Sequence, residues 1–194
     1  MVEYDERTAL VVVDVQNDFA DPAGSLYVAE GEIIIRMANR EIEKANASGA
    51  LVVYTQDWHP ESTPHFLKDG GVWPVHCVGG TWGAQLHPEL VVKGEVVRKG
   101  TRGEDGYSGF TVRDAATGDD APTPLTELLR DRGIQRAVIL GLATDYCIKE
   151  TALDAIELGF ETILLREGIR AVDLESGDGE RALDAVEAAG ASLR

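Results

Sequence analysis

The sequence predicts a three-layer α/β fold in which helices cover both faces of a doubly wound, mainly parallel sheet. Short β-branched segments such as TALVVVDV, residues 8–15, are typical of strands that are buried on both faces. Segments with helical periodicity alternate with these strands along the chain, as in βαβ units. The chain has 194 residues, which is enough for one large core, so we expect a single domain over residues 1–194.

The predicted elements follow one another in a regular order. After the first strand, residues 31–48 carry apolar residues at helical spacing, and Gly49 is a suitable C-cap. Later strands are expected at 50–57, 95–100, 135–141 and 160–167. Later helices are expected at 124–132, 145–158 and 178–189. Residues 101–123 are rich in Gly and Asp and should be mostly loop, and the ending GASLR leaves room only for a very short final strand.

The composition narrows the classes of function. A net charge of -16 and a pI near 4.5 argue against nucleic acid or an anionic membrane as a partner. Apolar runs are far shorter than the roughly 20 residues that span a bilayer, and no charged-then-apolar leader opens the chain. Two cysteines without a CxxC pair indicate neither a disulfide framework nor a zinc knuckle. We therefore expect a cytoplasmic protein, and the sequence leaves open whether it forms a homo-oligomer.

Four chemically capable side chains follow predicted strands. Asp14, Asp57 and Lys99 close the first three strands, and Cys147 follows the fourth. In doubly wound sheets, ligands bind outside the carboxyl ends of the strands. We therefore expect these side chains to meet at one edge of the sheet and to form a site there.

Cys147 has two interpretations. Taken alone, it is a small apolar residue of the core. Its place at the start of a helix, which Thr144 or Asp145 can cap, instead favours a nucleophile. The free N–H groups and the helix dipole at such a place stabilise a thiolate, lower the pKa of the thiol and can hold a negative substrate oxygen.

A thiol nucleophile needs a proton acceptor, and Asp14 is the best-placed base because no histidine lies near the first or fourth strand. An aspartate at a strand end can also simply cap a turn, and Lys99 can be a solvated strand-end lysine. Beside Asp14 and Cys147, however, the Lys99 ammonium would favour the ionised forms of both. Together the three predict a catalytic triad without histidine.

Residues 58–94 are a long segment without sustained periodicity that contains all four histidines and four of the seven prolines. A loop of this length in a compact domain usually has a function. Although single surface histidines are common, one aspartate and three histidines so close together suit Zn, Fe or Mn in an open site. These candidate ligands are Asp57, His59, His65 and His76. Cys77 is expected to be structural, and His87 is expected to be a loop residue.

Four stretches together resemble the isochorismatase-like cysteine hydrolases, and within them the nicotinamidases. VDVQNDF is similar to the family motif of the catalytic aspartate, and GLATDYC is similar to the nucleophile turn. DWHP…HF with GGVWPVHCVGGTWGAQLHPEL resembles the nicotinamidase metal loop, and KGTRGEDGYSGF resembles the lysine motif. The first two are shared widely across the superfamily, whereas the last two point to nicotinamidases. The resemblance runs nearly end to end and implies the same fold.

The resemblance implies metal-dependent hydrolysis of nicotinamide to nicotinate and ammonia through a thioester on Cys147, with pyrazinamide as a side substrate. Asp14 would take the thiol proton and return it to the leaving ammonia, with Lys99 as its catalytic partner. The backbone N–H groups of Ala143 and Cys147 would hold the oxyanion, next to a cis peptide between Leu142 and Ala143.

The resemblance also implies the ligands. Asp57, His59 and His76 would hold one divalent metal that binds the pyridine nitrogen. Zinc is expected, with iron or manganese as alternatives. Relatives have either a serine or a histidine ligand at the position of His65, and we expect His65 to be a fourth ligand. The residues assigned to the substrate site are Phe19, Trp73, Tyr107 and Leu142.

Three alternatives stay open at this point. Another amidohydrolase of the same superfamily would act on a carbamoyl or ureido group. A metal-free vinyl-ether hydrolase is disfavoured by the histidine-rich loop. A phospho-accepting receiver domain also places acids and a lysine in the pattern of Asp14, Asp57 and Lys99, but it has no use for a cysteine at a helix start.

Overall fold

The central layer is a sheet of six strands, seen in a computed structural model that describes residues 2–194. The strands of the chain are β1 (Thr8–Val13), β2 (Leu51–Asp57), β3 (Glu95–Lys99), β4 (Thr111–Arg113), β5 (Asp120–Pro122), β6 (Arg136–Leu142), β7 (Glu161–Arg170) and β8 (Ser192–Leu193). The helices are α1 (Asn17–Ala20), α2 (Ile33–Ala47), α3 (Leu125–Asp131), α4 (Lys149–Glu157) and α5 (Asp178–Ala189). A 3₁₀ turn covers Leu67–Asp69, and a π-helical turn covers Thr144–Ile148.

The sheet order is β3-β2-β1-β6-β7-β8, and every neighbouring pair in it is parallel. In the register of the central strands, Val11 of β1 lies between Val53 of β2 and Ile139 of β6. The chain winds outward in one direction from β1 and in the other from β6, so the topological switch point lies between these two strands. The predicted doubly wound α/β fold is therefore confirmed.

Both faces of the sheet are covered because alternate residues of each strand point to opposite faces. All six residues of β1 are buried. Leu10 and Val12 belong to a core shared with Ile34 and Ile42 of α2. The other alternate residues of β1, with Val11 among them, belong to a second core shared with α3, α4 and α5. After Thr8, β1 therefore has only apolar residues, as the β-branched sequence predicts.

The strand β7 continues to Arg170, three residues beyond its predicted end. The pairing of β6 with β7 shifts between Ile139 and Gly141 and then resumes, so that Gly141 lies opposite Ile169. Gly141 has a φ of 129°, and a Cβ there would lie 2.0 Å from the carbonyl oxygen of Val13. Only glycine therefore permits the close approach of β6 to β1 at this irregularity.

Two further elements were not predicted. The segment 101–123 contains the small antiparallel hairpin β4–β5 as well as loop, and the four-residue helix α1 follows β1. Both are too short for their periodicity to be visible in sequence. The final strand β8 has two residues, as expected. Within residues 2–194, no helix has both the length and the apolar character that crossing a bilayer requires.

Candidate active site

Asp14 lies immediately after β1, at the carboxyl edge of the sheet, and is completely buried. Its φ of 49° turns the chain sharply out of the strand. The neighbouring strand β2 fixes its carboxylate, because the Thr55 hydroxyl donates a hydrogen bond of 2.6 Å to Asp14 Oδ1. The backbone N–H of Asp14 in turn donates to Thr55 Oγ1 at 3.2 Å. One carboxylate oxygen is thus engaged and the other, Oδ2, faces the interior of the site.

Lys99, the last residue of β3, contacts each of the other candidate side chains at this edge of the sheet. Its ammonium lies 2.9 Å from Asp14 Oδ2, donates a hydrogen bond to Asp57 Oδ1 and lies 3.6 Å from Cys147 Sγ. One ligand atom each of Asp14, Asp57 and Cys147 lies within 4.8 Å of the others. The structure therefore brings together the four side chains that the sequence places at strand ends.

Burial governs the protonation of this cluster. It raises the pKa of Asp14 and, more strongly, the pKa of the Cys147 thiol. For Cys147, the Asp14 and Asp57 carboxylates add to the effect of burial, and burial with these carboxylates outweighs the Lys99 ammonium, which lowers the pKa. The expectation that the helix start lowers the pKa of Cys147 is therefore wrong for the resting protein. Although burial opposes the charge of Lys99, its two carboxylate neighbours raise its pKa well above the usual value.

The turn that carries Cys147 is π-helical and begins after Ala143, whose backbone is extended. The carbonyl oxygen of Ala143 accepts hydrogen bonds from the N–H groups of Tyr146 and Ile148 at 3.1 and 3.0 Å. The expected cis peptide between Leu142 and Ala143 is present.

The expected side-chain cap of this turn is not formed by Thr144 or by Asp145. The Asp145 carboxylate instead accepts hydrogen bonds of 2.9 Å from the backbone N–H groups of Val172 and Asp173. The reason is tertiary, because the loop after β7 passes close to the nucleophile turn and presents two N–H groups that need acceptors.

Three of the four histidines converge beside this cluster. His59, His65 and His76 are all buried, and a ring nitrogen of each lies within 4.8 Å of the others. The Nδ1 atom of His76 lies 2.7 Å from the carbonyl oxygen of Pro74, and burial lowers the pKa of His76 to about 4. Neither ring nitrogen of His59 has a hydrogen-bond partner. Buried imidazoles whose ring nitrogens converge, with those of His59 unpartnered, fit a divalent transition metal.

Asp57 lies between the two clusters. One carboxylate oxygen binds Lys99, and the other lies 3.7 Å from His59 Nε2. Burial would raise the pKa of Asp57, but the Lys99 ammonium together with His59 and His76 outweighs it and holds that pKa well below the usual value. Gln16 fixes the backbone of Asp57 by accepting from its N–H and donating to its carbonyl oxygen, both at 2.8 Å. The role of Gln16 was missed because only the packing of β1 beside β2 reveals it.

A cavity with almost entirely apolar walls lies between the cysteine and the histidines. Its lining includes Phe19, Trp73, Tyr107, Ala143 and Cys147, each of which the sequence assigns to the site. The indole N–H of Trp73 donates to the Tyr107 hydroxyl at 2.9 Å, which holds the two aromatic rings together. Such a shape and lining suit a small flat ring.

Leu142 differs from expectation. Its side chain is completely buried in the core on the α2 side of the sheet, and it is not part of the cavity wall. The lining residues that were missed are Leu26, Val28, Tyr146 and Val172. Tyr146 directly precedes Cys147, and this adjacency could have identified it from the sequence. Its ring contacts Trp73 edge to face, with the two ring centroids 4.9 Å apart. The other three lie on loops, and no sequence pattern marks them.

The sequence predicts no role in the site for Cys77 or His87, and neither residue lines the cavity. Cys77 is completely buried in the core on the α2 side of the sheet, in agreement with a structural role. His87 lies in a loop, where its Nδ1 accepts the backbone N–H of Glu89 at 3.2 Å.

Comparisons with known proteins agree with this geometry. The sequence-family model of the isochorismatase domain matches residues 8–193 of this chain. The nicotinamidase of Escherichia coli is 38% identical over 203 residues, which cover 95% of this chain and 93% of that protein. The structure of the pyrazinamidase of Pyrococcus horikoshii in complex with zinc matches with a TM-score of 0.85 at 40% identity, covering 97% of this chain and 98% of that chain. The structure of PnC1 from L. infantum in complex with nicotinate matches with a TM-score of 0.88 at 36% identity, covering 100% of this chain and 95% of that chain.

Proposed function

The chain belongs to the isochorismatase domain family, and from this premise we propose that it is a metal-dependent cysteine amidohydrolase that converts nicotinamide into nicotinate and ammonia. One observation carries the proposal. The sulfur of Cys147 lies at the wall of an aromatic cavity, beside an aspartate–lysine pair and opposite three converging histidines. Each part corresponds to a need of amide hydrolysis: a nucleophile, a base, a place for a flat ring and donors for a metal.

In the first step, the buried carboxylate of Asp14 accepts the proton of the Cys147 thiol as the sulfur attacks the carboxamide carbon. The raised pKa values of both groups suit this transfer, because the proton moves between groups that are each reluctant to be charged. Lys99 stays protonated and balances whichever of the two is negative. The negative oxygen that forms on the substrate would be held by the N–H groups of Ala143 and Cys147.

In the second step, Asp14 returns the proton to the substrate nitrogen, and ammonia leaves while a thioester remains on Cys147. Water then adds to the thioester carbon with Asp14 again accepting a proton. Collapse of this adduct breaks the C–S bond, Asp14 returns its proton to the sulfur to restore the thiol, and the acid product leaves as nicotinate after losing a proton to solvent. The base thus acts twice, and no histidine is required for proton transfer.

His59, His65, His76 and Asp57 would hold the metal. When bound, a zinc ion would act as a Lewis acid for the pyridine nitrogen and for water. Phe19 and Trp73 would enclose the ring from the cavity walls, which fixes the carboxamide toward Cys147. Pyrazinamide, which also has a ring nitrogen and a carboxamide, is the expected side substrate.

The alternatives fit less well. An N-carbamoyl amino acid has no flat ring to fill the aromatic cavity, and among the described residues no lysine or arginine lines the cavity to pair with its carboxylate. A receiver domain needs an aspartate that is open to a phosphodonor, whereas Asp57 is 5% exposed and bound to Lys99. Membership of the isochorismatase family excludes the receiver domain.

Ammonia release from nicotinamide by the zinc-loaded protein tests the proposal. Cys147→Ala removes the nucleophile, so kcat should fall by roughly 10⁴-fold or more. Cys77→Ala is the matched control and should keep most of the activity, because the Cys77 side chain packs in the core and does not line the cavity. Pyrazinamide and an N-carbamoyl amino acid are assayed in parallel.

Two outcomes would contradict the proposal in different ways. Wild-type turnover by Cys147→Ala would exclude the thioester mechanism. Failure of the zinc-loaded wild type to release ammonia from nicotinamide would exclude the substrate, and turnover of the N-carbamoyl compound instead would favour the alternative.

A further inference from the structure

Asp105 lies beside the histidine cluster but belongs to none of the groups that the proposed reaction uses. Its Oδ1 atom is 2.7 Å from Nδ1 of His65. We propose that Asp105 is a positioning residue for metal binding, which accepts the Nδ1–H of His65 and thereby holds Nε2 toward the other two histidines. This inference rests on the proposed metal site and assigns to it a carboxylate from outside the ligand set.

The backbone of Asp105 is fixed by the hairpin. Asp105 and Arg113 exchange two backbone hydrogen bonds of 2.8 and 2.7 Å, which attach the loop to β4. The guanidinium of Arg113 binds Asp120 of β5 at 2.8 Å, so the hairpin is itself held across its two strands. The hairpin contributes no side chain to the cavity wall around Cys147. The hairpin β4–β5 therefore has one role in the site, which is to hold Asp105 beside His65.

His65 differs from the other two histidines in its partner. The Nδ1 atom of His76 is paired with a carbonyl oxygen, and His59 has no hydrogen bond at either ring nitrogen. Among the three, only His65 has a hydrogen bond to a carboxylate, because the nearest carboxylate oxygen to His59, from Asp57, is 3.7 Å away. A carboxylate at Nδ1 fixes the tautomer, restricts ring rotation and makes Nε2 a stronger donor to a metal. The Asp105 side chain is 50% exposed, so its carboxylate keeps part of its hydration. The His65 ring is buried, and it is the side chain whose orientation this contact fixes.

Zinc affinity of the metal-free protein, measured by competition with a chelating dye, tests the proposal. Asp105→Ala should raise the zinc dissociation constant by about 10- to 100-fold, the usual effect of removing such a partner. Asp105→Asn keeps an oxygen in place and should have a smaller effect. Asp119→Ala is the matched control, because it removes an exposed aspartate from the same hairpin, and it should bind zinc as the wild type does.

A double-mutant cycle separates positioning from general destabilisation. If Asp105 acts through His65, then Asp105→Ala should have no further effect on zinc affinity in a His65→Ala background. Wild-type affinity in Asp105→Ala, or an equal loss with and without His65, would overturn the proposal. Zinc binding is measured without substrate, so failure of the protein to hydrolyse nicotinamide would leave this result interpretable.

Discussion

Thr55 determines which carboxylate oxygen of Asp14 faces the thiol. The Thr55 hydroxyl donates to Oδ1, while Oδ2 lies 2.9 Å from the Lys99 ammonium, and a carboxylate oxygen of Asp14 lies within 4.8 Å of Cys147 Sγ. The hydrogen bond from Thr55 also lowers the pKa of Asp14, against the larger effect of burial, which raises it. A single hydroxyl on β2 thus sets both the direction and the basicity of the proposed base.

Thr55→Val keeps the shape of this side chain and removes the hydroxyl. Hydrogen bonds to charged groups contribute about 1.5–3 kcal/mol, so kcat/KM should fall by about ten- to a hundredfold. Because the pKa of Asp14 rises when the donor is lost, the acid limb of the pH profile of kcat/KM should move to higher pH. Steady-state kinetics from pH 4 to pH 8 would measure both effects.

Thr162→Val is the control for this experiment. Thr162 is a buried threonine of β7 whose hydroxyl donates to the carbonyl oxygen of Phe160, away from the site. It should change stability without moving the acid limb. If the acid limb of Thr55→Val coincides with that of the wild type, Thr55 does not control Asp14.

At the scale of elements, the nucleophile turn is connected to α5 through one loop. Asp145 on the turn accepts the N–H groups of Val172 and Asp173. The carboxylate of Asp173 then accepts the N–H of Gly179, in the first turn of α5, at 2.8 Å. Since Val172 lines the cavity, this chain of hydrogen bonds fixes one wall of the substrate site relative to the nucleophile.

Asp145→Ala would leave two N–H groups without their acceptor. A buried donor without an acceptor costs about 1–3 kcal/mol, and because these two N–H groups are only part-buried, the free energy of unfolding should fall by about that amount for the pair. Because the wall formed by Val172 loosens, KM for nicotinamide should rise more than kcat falls. Urea unfolding and steady-state kinetics would measure the two effects.

Asp184→Ala is the matched control, because Asp184 is an exposed aspartate on α5. It should leave both stability and KM near the wild-type values. An Asp145→Ala variant with unchanged KM would show that Val172 is held in place by other contacts.

At the scale of the whole molecule, the position of the site follows from the topology. Asp14 comes from β1 and Cys147 from the turn after β6, and these two strands flank the switch point of the sheet. The chain leaves β1 and β6 on opposite faces, so a crevice opens between the two connections. The base and the nucleophile meet there although they are far apart in sequence.

One buried and one half-buried tyrosine should make the whole molecule sensitive to alkali. Burial raises the pKa values of Tyr4 and Tyr54 above the usual value of about 10. Above pH 10 the unfolded chain releases protons that the folded protein retains, so stability is complete below this pH and falls as the pH rises. The slope is at most about 1.4 kcal/mol per pH unit for each such tyrosine. Urea unfolding at pH 9 and pH 10.5 would measure the fall.

Tyr4→Phe should reduce this alkaline loss, because it removes a tyrosine that also donates to the buried Glu41. Tyr27→Phe changes a half-buried tyrosine whose hydroxyl binds Glu32 at the surface, and it should affect the loss less. Equal pH dependence in the wild type and in Tyr4→Phe would contradict the assignment.

Much of the molecule could be predicted from local patterns. The β-branched strands and amphipathic helices follow from periodicity, and their alternation predicts the parallel sheet. The convergence of Asp14, Asp57, Lys99 and Cys147 could be predicted because parallel strands end at the same edge. Short elements such as the hairpin β4–β5 could not, since three residues per strand carry no readable period.

By itself, the sequence determined the fold class, the edge at which the site lies and the residue types that meet there, because these depend on hydrophobic period and strand order. The tertiary structure alone decided how the groups are tuned and held. Burial and neighbouring carboxylates, rather than the helix start, set the pKa of Cys147. Asp145 binds a distant loop rather than capping its own helix, and Leu142 packs in the core rather than lining the cavity. These outcomes depend on contacts between residues that are distant in sequence, which no local pattern contains.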